Sequence, residues 1–505
     1  MLRNVSLPWI FLGKRFNTSP FKYWFKFVMD FSFIALPPLL LMTVFSQSLL
    51  LLACILATCL ATLCLFIICE YLISPERPSF KIVLNRLIDE NQQPTTFVSQ
   101  KNEPLFCVNS YSLNVAYNGN CITFHKRKLC AAFYRSSMLI TVACAILAVD
   151  FPVFPRRLAK TEKYGHSLMD MGVAGFIFAL AITSRLRTMN TWEGKTSTQK
   201  RFSWFRSSYV ILPVIGMSRT ILLTVLNYPQ HVTEYGVHWN FFYTLALVFS
   251  LGTFSPTCLY ISLKIISYVL PKKFPWLWAC LFGTFQQTML MNGYEEWILN
   301  GDNPRDTLIS ANAEGICSLM GYITIYYMAD TLAIIRVKSW IECCWRLFAF
   351  ALIFYGMQLG AEWVVGQASR RVVNITYIFA QVVVFSFVST MHSKHPVSQM
   401  SLLTFALASF LGVQLVSVVA WAANVPHFSI DENPWCGVQP CLTASVNRSG
   451  LAFFLLANVL TGVVNFCIDT HHTDDVTALC ILFGYLFSLC VMAHMRDFVK
   501  MNRRR

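Results

Sequence analysis

Charge is what this sequence has least of. Only 13% of its 505 residues are Asp, Glu, Lys or Arg, about half the share of an ordinary soluble protein. No pair of C-x-x-C elements occurs, so a structural zinc site is not expected. The 18 cysteines are scattered through apolar runs, as at Cys54, Cys59, Cys64 and Cys69, where cysteine acts as a small hydrophobe. Only Cys436 and Cys441, in NPWCGVQPC, read as a candidate disulfide in a non-cytosolic loop. The first 26 residues lack a short apolar core followed by a small-residue cleavage site. No cleavable signal peptide is expected, and the first apolar run directs insertion. No internal repeat is visible, which weighs against the transporter folds built from repeats.

Long apolar runs are what the chain has instead. It is 55% hydrophobic, with a mean hydropathy of +0.52. Continuous runs recur from Phe31 to Ala493, each near the length that crosses a bilayer core of roughly 30 Å. They are unbroken rather than alternating, which excludes a β-barrel. Helices are expected near 27–46, 48–70, 134–150, 167–184, 208–227, 238–254, 256–270, 275–293, 317–335, 343–360, 372–390, 400–422, 451–468 and 477–495. The adjacent windows 238–254 and 256–270 blur into one another. The fold class expected is an all-α polytopic membrane protein, with about 13 transmembrane helices in a single bundle and one domain over 1–505.

The net charge of +15 would suggest nucleic acid in a soluble protein. Here it is the charge of loops that set topology and face anionic lipid, and no nucleic-acid partner is expected. The polar stretch 71–135 carries Arg77, Lys81, Arg86, Lys101, Lys126, Arg127, Lys128 and Arg135, which argues for the cytosol. Its alternation VNSYSLNVAYNGNCITFH suggests a small hairpin turning at Asn118-Gly119. A second basic loop, Arg185 to Arg206, places Asp150 to Lys163 on the opposite, lumenal face. The MNRRR tail favours the cytosol. Sequons stand at Asn4, Asn17, Asn374 and Asn447. Asn374, at a helix edge, is a poor acceptor; Asn447 requires a lumenal 423–450 loop.

Four cations on the lumenal side break the positive-inside rule, so the stretch AVDFPVFPRRLAK (148–160) draws attention first. Asp150 ends an apolar helix, and Pro152 and Pro155 fix the exit path. A carboxylate held near Arg156, Arg157 and Lys160 can take a proton from an attacking alcohol. A neighbouring lysine can orient it or stabilise an oxyanion. A helix-end salt bridge is the alternative. Arg219 falls inside an apolar run, where arginine faces a cavity or a partner; phosphate binding and a buried ion pair are its two readings. His231, Glu234 and His238 fit no metal motif, and no metal is expected. Glu234, His238 and Asn240 could instead bond a polar substrate. Asn312 and Glu314 form the polar mouth of another run, suited to a headgroup or to an ordinary helix start. Asp170 opens a run and would favour its helix N-terminus. His471, His472, Asp474 and Asp475 read as a solvated loop.

Four strings together resemble the GPI-anchor inositol acyltransferase family, called phosphatidylinositol-glycan biosynthesis class W in animals and GPI-anchored wall transfer protein in fungi. They are ILAVDFPVFPRRLAKTEKYGHSLMDMGV (146–173), NYPQHVTEYGVHWNFFYTLAL (227–247), NPRDTLISANAEGICSLMGY (303–322) and ANVLTGVVNFCIDT (457–470). They lie in one order over most of the chain. The resemblance implies a multi-pass enzyme of the endoplasmic-reticulum membrane. It would transfer a fatty acyl group, typically palmitoyl from acyl-CoA, to the inositol 2-hydroxyl of glucosaminyl-phosphatidylinositol. By motif the family's catalytic aspartate and lysine fall on Asp150 and Lys160. Ala313 stands where the third family string has a lysine, and Met1–Pro20 lacks the family's Ser/Gly-rich opening.

The mechanism expected is direct attack of the inositol hydroxyl on the thioester, because no serine or cysteine has the context of an activated nucleophile. Arg156, Arg157 and Arg219 are candidates for lipid phosphate or coenzyme A. No resident cofactor is expected; acyl-CoA is a co-substrate, and the other partners are the glycolipid and membrane lipid. A histidine-dependent membrane acyltransferase would need an intramembrane histidine, and none of the 10 histidines falls mid-run. The alternatives are a lipid or solute transporter using the same charges, and a non-enzymatic scaffold.

Overall fold

The computed structural model describes residues 30–46, 120–192, 208–225, 232–262, 274–299, 304–334, 340–385 and 441–502, with Trp24, Phe27, Val28 and a few positions between 58 and 72. A π-helical turn, Phe31–Ala35, leads into α1 (Leu36–Met42). There follow α2 (Asn120–Ala148), α3 (Met171–Trp192), α4 (Ser208–Val225), α5 (Val232–Tyr235), α6 (Phe241–Ser262), α7 (Pro275–Met289), α8 (Glu295–Leu299), α9 (Leu308–Ala311) and α10 (Ala313–Ile334). The remainder are α11 (Trp340–Val364), α12 (Ile375–Phe385), α13 (Cys441–Arg448), α14 (Gly450–Cys467) and α15 (Asp475–Asn502). No strand occurs among the described residues, in keeping with the all-α class.

Two described helices, Gly450–Cys467 and Asp475–Val499, are long and apolar enough to cross a membrane. Tyr134–Ala148, Met171–Arg185, Tyr209–Val225, Phe241–Thr253 and Ala349–Val364 are apolar but shorter. Three boundaries differ from the sequence expectation. Residues 120–135, the end of the expected polar loop and hairpin, are the first half of α2; the first arm of that hairpin lies outside the described residues. The windows 238–254 and 256–270 meet in one helix, α6, that runs through Pro256 to Ser262. The run 275–293 breaks at Asn292 and Gly293, whose φ of 97° no helix uses. The expected runs 48–70 and 400–422, and Cys436 of the candidate disulfide, fall largely or wholly outside the described residues.

The chain divides into two compact units. The first gathers Met1–Leu158, Val337–Leu347 and Ser401–Arg505. In it α2 packs on α13 and α14, and α15 packs on both of those. The Tyr485 hydroxyl of α15 lies 3.2 Å from the carbonyls of Ala143 on α2 and Ala457 on α14, tying three helices at one buried point. Ser136 donates to the Thr443 carbonyl at 2.8 Å. His494 of α15 is fully buried against the rings of Trp24 and Phe27, at 5.0 and 4.7 Å. It sits at the end of its apolar run, packed as part of an aromatic layer.

The second unit gathers Ala159–Arg336 and Phe348–Met400. Its centre is α10, apolar all round and buried along most of its length, with α3, α6, α7 and α12 around it. Gly321 lets α10 approach the turn before α12: a β-carbon there would lie 2.5 Å from Val373 Cγ1 and 2.6 Å from its carbonyl oxygen. Gly321→Ala is therefore expected to destabilise this unit by about 1–3 kcal/mol through overpacking, read as a lower unfolding midpoint of the detergent-solubilised protein.

Two sequons can be placed. Asn374 is 1% exposed, and its amide is consumed by Ser369 N, Tyr377 N and the Gln367 carbonyl. Asn447 lies within α13, and the hydroxyl of Ser449 is buried and donates to the Ser445 carbonyl at 2.7 Å. Neither offers an exposed, extended acceptor. With Asn4 and Asn17 replaced by Gln, glycosidase treatment should leave the protein's electrophoretic mobility unchanged.

Candidate functional site

Asp150 lies just past the end of α2, where the chain folds into turns closed by Asp150 N on the Leu147 carbonyl and Phe151 N on the Ala148 carbonyl. Phe151, Phe154 and Leu158 are buried to 0–1% and anchor this segment, which belongs to the first unit. The intervening Pro152, Arg156 and Arg157 face outward. Asn465 of α14 donates its amide to Asp150 Oδ2 at 2.8 Å. The carboxylate is thus oriented by a neutral donor and keeps an exposed edge. The two arginines are bonded to main chain: Arg156 to the Val149 carbonyl at 3.3 Å and Arg157 to the Ser46 carbonyl.

Lys160 opens the second unit, where it donates to Glu234 Oε1 at 2.7 Å. The same oxygen accepts from Arg370 Nη1 at 3.1 Å. Arg370 Nε lies 3.0 Å from Asp170 Oδ1. Asp170 in turn accepts from Thr161 N (3.1 Å), Thr161 Oγ1 (2.8 Å) and Ser167 N (2.9 Å). Two cations and two anions alternate from the half-exposed ammonium inward to a carboxylate that is 1% exposed. Burial would push the Glu234 carboxyl up, but Lys160 and Arg370 outweigh it and hold it at about 2. Such a group is a permanent anion and an anchor for cations, not a proton acceptor. Asp170, directly before the start of α3, also clamps its own loop through Thr161 and Ser167.

A second ion cluster stands beside the first. Glu314, 2% exposed in the first turn of α10, accepts from Arg305 Nη2 at 2.7 Å and lies 3.5 Å from Arg371 Nη2. The adjacent Arg370 and Arg371 thus serve different clusters. The turn that aims them is strained. Val373 has φ 50°, a left-handed conformation that costs a β-branched residue on the order of 1–3 kcal/mol. It is held by Gln286 Nε2 on the Val372 carbonyl (2.7 Å), Ile375 N on Gln287 (3.1 Å) and the Asn374 bonds.

The other polar candidates are tied into the scaffold. Asn240 accepts from Phe242 N and Tyr243 N at the start of α6 and donates to the Gly216 carbonyl of α4, a cap and a strut in one side chain. Asn312 accepts from His238 N at 2.9 Å and donates to the Leu308 carbonyl. Beside it Gly236, at φ 112°, passes so close that a β-carbon would lie 2.5 Å from Asn312 Cα. Two of the strings noticed in the sequence therefore touch through backbone. The His238 side chain is exposed and the Arg219 side chain is exposed on α4, each without a hydrogen-bond or ion-pair partner among the described residues. His231 lies outside them. No group of three or more His, Cys, Asp or Glu suited to a metal occurs among the described residues. In the 469–475 loop His472 Nδ1 pairs with Asp469 Oδ2 at 2.8 Å, both exposed.

Known sequences decide the family. The family model GWT1 matches residues 2–496.

The chain belongs to the GWT1 family.

It is 33% identical over 384 residues to GPI-anchored wall transfer protein 1 of Schizosaccharomyces pombe, covering 74% of this chain and 73% of that one. It is 31% identical over 395 residues to glucosaminyl-phosphatidylinositol-acyltransferase PIGW of Mus musculus, covering 72% of each. The Homo sapiens protein of the same name is 32% identical over 381 residues, covering 70% of each. Membership makes this GWT1-family chain an acyltransferase. Its structure adds residues that sequence reading passed over: Asn465, within the fourth string but not singled out, and Arg305, Arg370 and Arg371. The pair Arg370-Arg371 at the mouth of an apolar run was the one available signal.

Proposed function

We propose that the protein transfers a fatty acyl group, palmitoyl in the first instance, from acyl-CoA to the inositol 2-hydroxyl of glucosaminyl-phosphatidylinositol. It would do so as a multi-pass protein of about 13 spans in the endoplasmic-reticulum membrane. Relatives that bear the name of this glycolipid's acyltransferase, at about a third identity over some 70% of both chains, carry the reading. The oriented carboxylate of Asp150 supports it.

In the proposed step the inositol oxygen attacks the thioester carbonyl. The C–O bond forms as the hydroxyl proton passes to Asp150, and the C–S bond then breaks. The coenzyme A thiolate takes the proton back, so Asp150 ends unchanged. Lys160, with its ammonium tied to Glu234, is the candidate for the charge that develops on the carbonyl oxygen. Arg219 and His238, exposed and without a hydrogen-bond or ion-pair partner among the described residues, are candidates for anionic and hydroxyl groups of the substrates.

The test is transfer from labelled palmitoyl-CoA to glucosaminyl-phosphatidylinositol by membranes containing the protein. Labelled glycolipid that releases its label under mild alkali, as an ester does, is the expected product. No product with folded protein, across several acyl-CoA chain lengths, would reject the reading.

A further inference from the structure

Arg370 is 9% exposed, yet its outer nitrogen reaches the same Glu234 oxygen that Lys160 uses. We propose that Arg370 is a positioning residue, which fixes the Glu234 carboxylate and through it aims the Lys160 ammonium for acyl transfer. The proposal rests on the function proposed above and on the part Lys160 plays in it.

An exposed Lys–Glu pair by itself holds no fixed geometry, because two flexible side chains exchange it for water at a gain of only about 0–1 kcal/mol. Here the lysine is 42% exposed and the glutamate 21%, so the pair would behave in that way if left alone. The planar guanidinium of Arg370 changes this. It bonds Glu234 through Nη1 and faces Asp170 through Nε, so one rigid planar fork, with one prong to each carboxylate, replaces a flexible stem. Asp170 then returns to the chain at Thr161, the residue after Lys160, through both its amide and its hydroxyl. Lys160 is held by its ammonium and by the backbone that carries it, in one closed circuit. The left-handed Val373 in the same turn is strain that the fold sustains to present Arg370. The groups facing Glu234 are Lys160, Arg370, the Tyr235 beside it and Tyr322 of α10; Arg219 of α4 acts on Tyr235. Of the cations among them, Lys160 and Arg370 touch the carboxylate.

The experiment is a mutant cycle on the full-length protein, with kcat and KM measured for palmitoyl-CoA and for glucosaminyl-phosphatidylinositol. Arg370→Gln should lower kcat about tenfold or more while both KM values stay within about twofold. In a Glu234→Gln background the same substitution should have little further effect, because the route through Glu234 is already cut. Arg370→Lys keeps the charge but loses the fork, and should recover part of the rate. Effects of the two single changes that multiply in the double variant would overturn the proposal. So would a kcat for Arg370→Gln equal to wild type, or a rise in KM alone. Should Arg370→Gln not accumulate as folded protein, Arg370→Lys decides: an unchanged unfolding midpoint with wild-type kcat rejects the role, and a lowered kcat upholds it. A wild-type enzyme with no transferase activity would instead defeat the function on which the proposal rests.

Discussion

Asp150→Asn is expected to lower acyl transfer roughly a hundredfold to ten-thousandfold, the range over which a positioned acid or base acts. The change is nearly isosteric. Asn465 can still donate to the new amide oxygen, as it donates to Oδ2 at 2.8 Å. The neighbouring turns are held by backbone bonds and by the buried Phe151, Phe154 and Leu158, so folding should be unaffected. What disappears is the capacity to take a proton. Activity lost at an unchanged unfolding midpoint, in membranes with matched protein, is the expected result. Equal activity in variant and wild type would remove Asp150 from the chemistry. Asn465→Ala should show a smaller loss of about tenfold, since it frees the carboxylate to rotate without removing it.

Asp170→Ala should have the largest effect on stability, about 3–5 kcal/mol. Its carboxylate is 1% exposed and is met by a backbone amide from each of two residues, a hydroxyl and a guanidinium. Truncation leaves the part-buried Thr161 N and the buried Ser167 N without this acceptor and leaves Arg370 with one anion where it had two. Thermal unfolding of the detergent-purified protein should show the loss. Lys163→Ala, in the same segment but with an exposed side chain, should change stability by less than about 0.5 kcal/mol. Equal midpoints for the two variants would show that the Asp170 clasp is not what holds this loop.

Helices and their approximate centres were legible because composition alone forces them: long apolar stretches must satisfy their own backbone, and a helix does so locally. Their ends were less legible. The first half of α2 is polar and basic and reads as a loop, while the two adjacent windows 238–254 and 256–270 meet in the single helix α6. Asp150 and the cations after it stood out because charge at the mouth of an apolar run is costly and must have a use or a partner, and Glu234 because it lies in a polar cluster with His231, His238 and Asn240. Asn240 and Asn312 stood out for the same polarity, and the structure gives both of them to caps and struts.

By itself, then, the sequence determined that the protein is helical, that apolar helices dominate it, and which charges are out of place. Only the tertiary structure decided the partners. Glu234 finds Arg370 at 136 residues' distance, and Asp150 finds Asn465 at 315. Sequence separation carries little information about such pairs, because closing a longer loop adds only slowly to its entropic cost. Which helices become neighbours depends on how whole faces pack, as at Gly321 against Val373. Those faces are assembled from residues scattered along the chain, and the charges they bring together are paired only once the packing is complete.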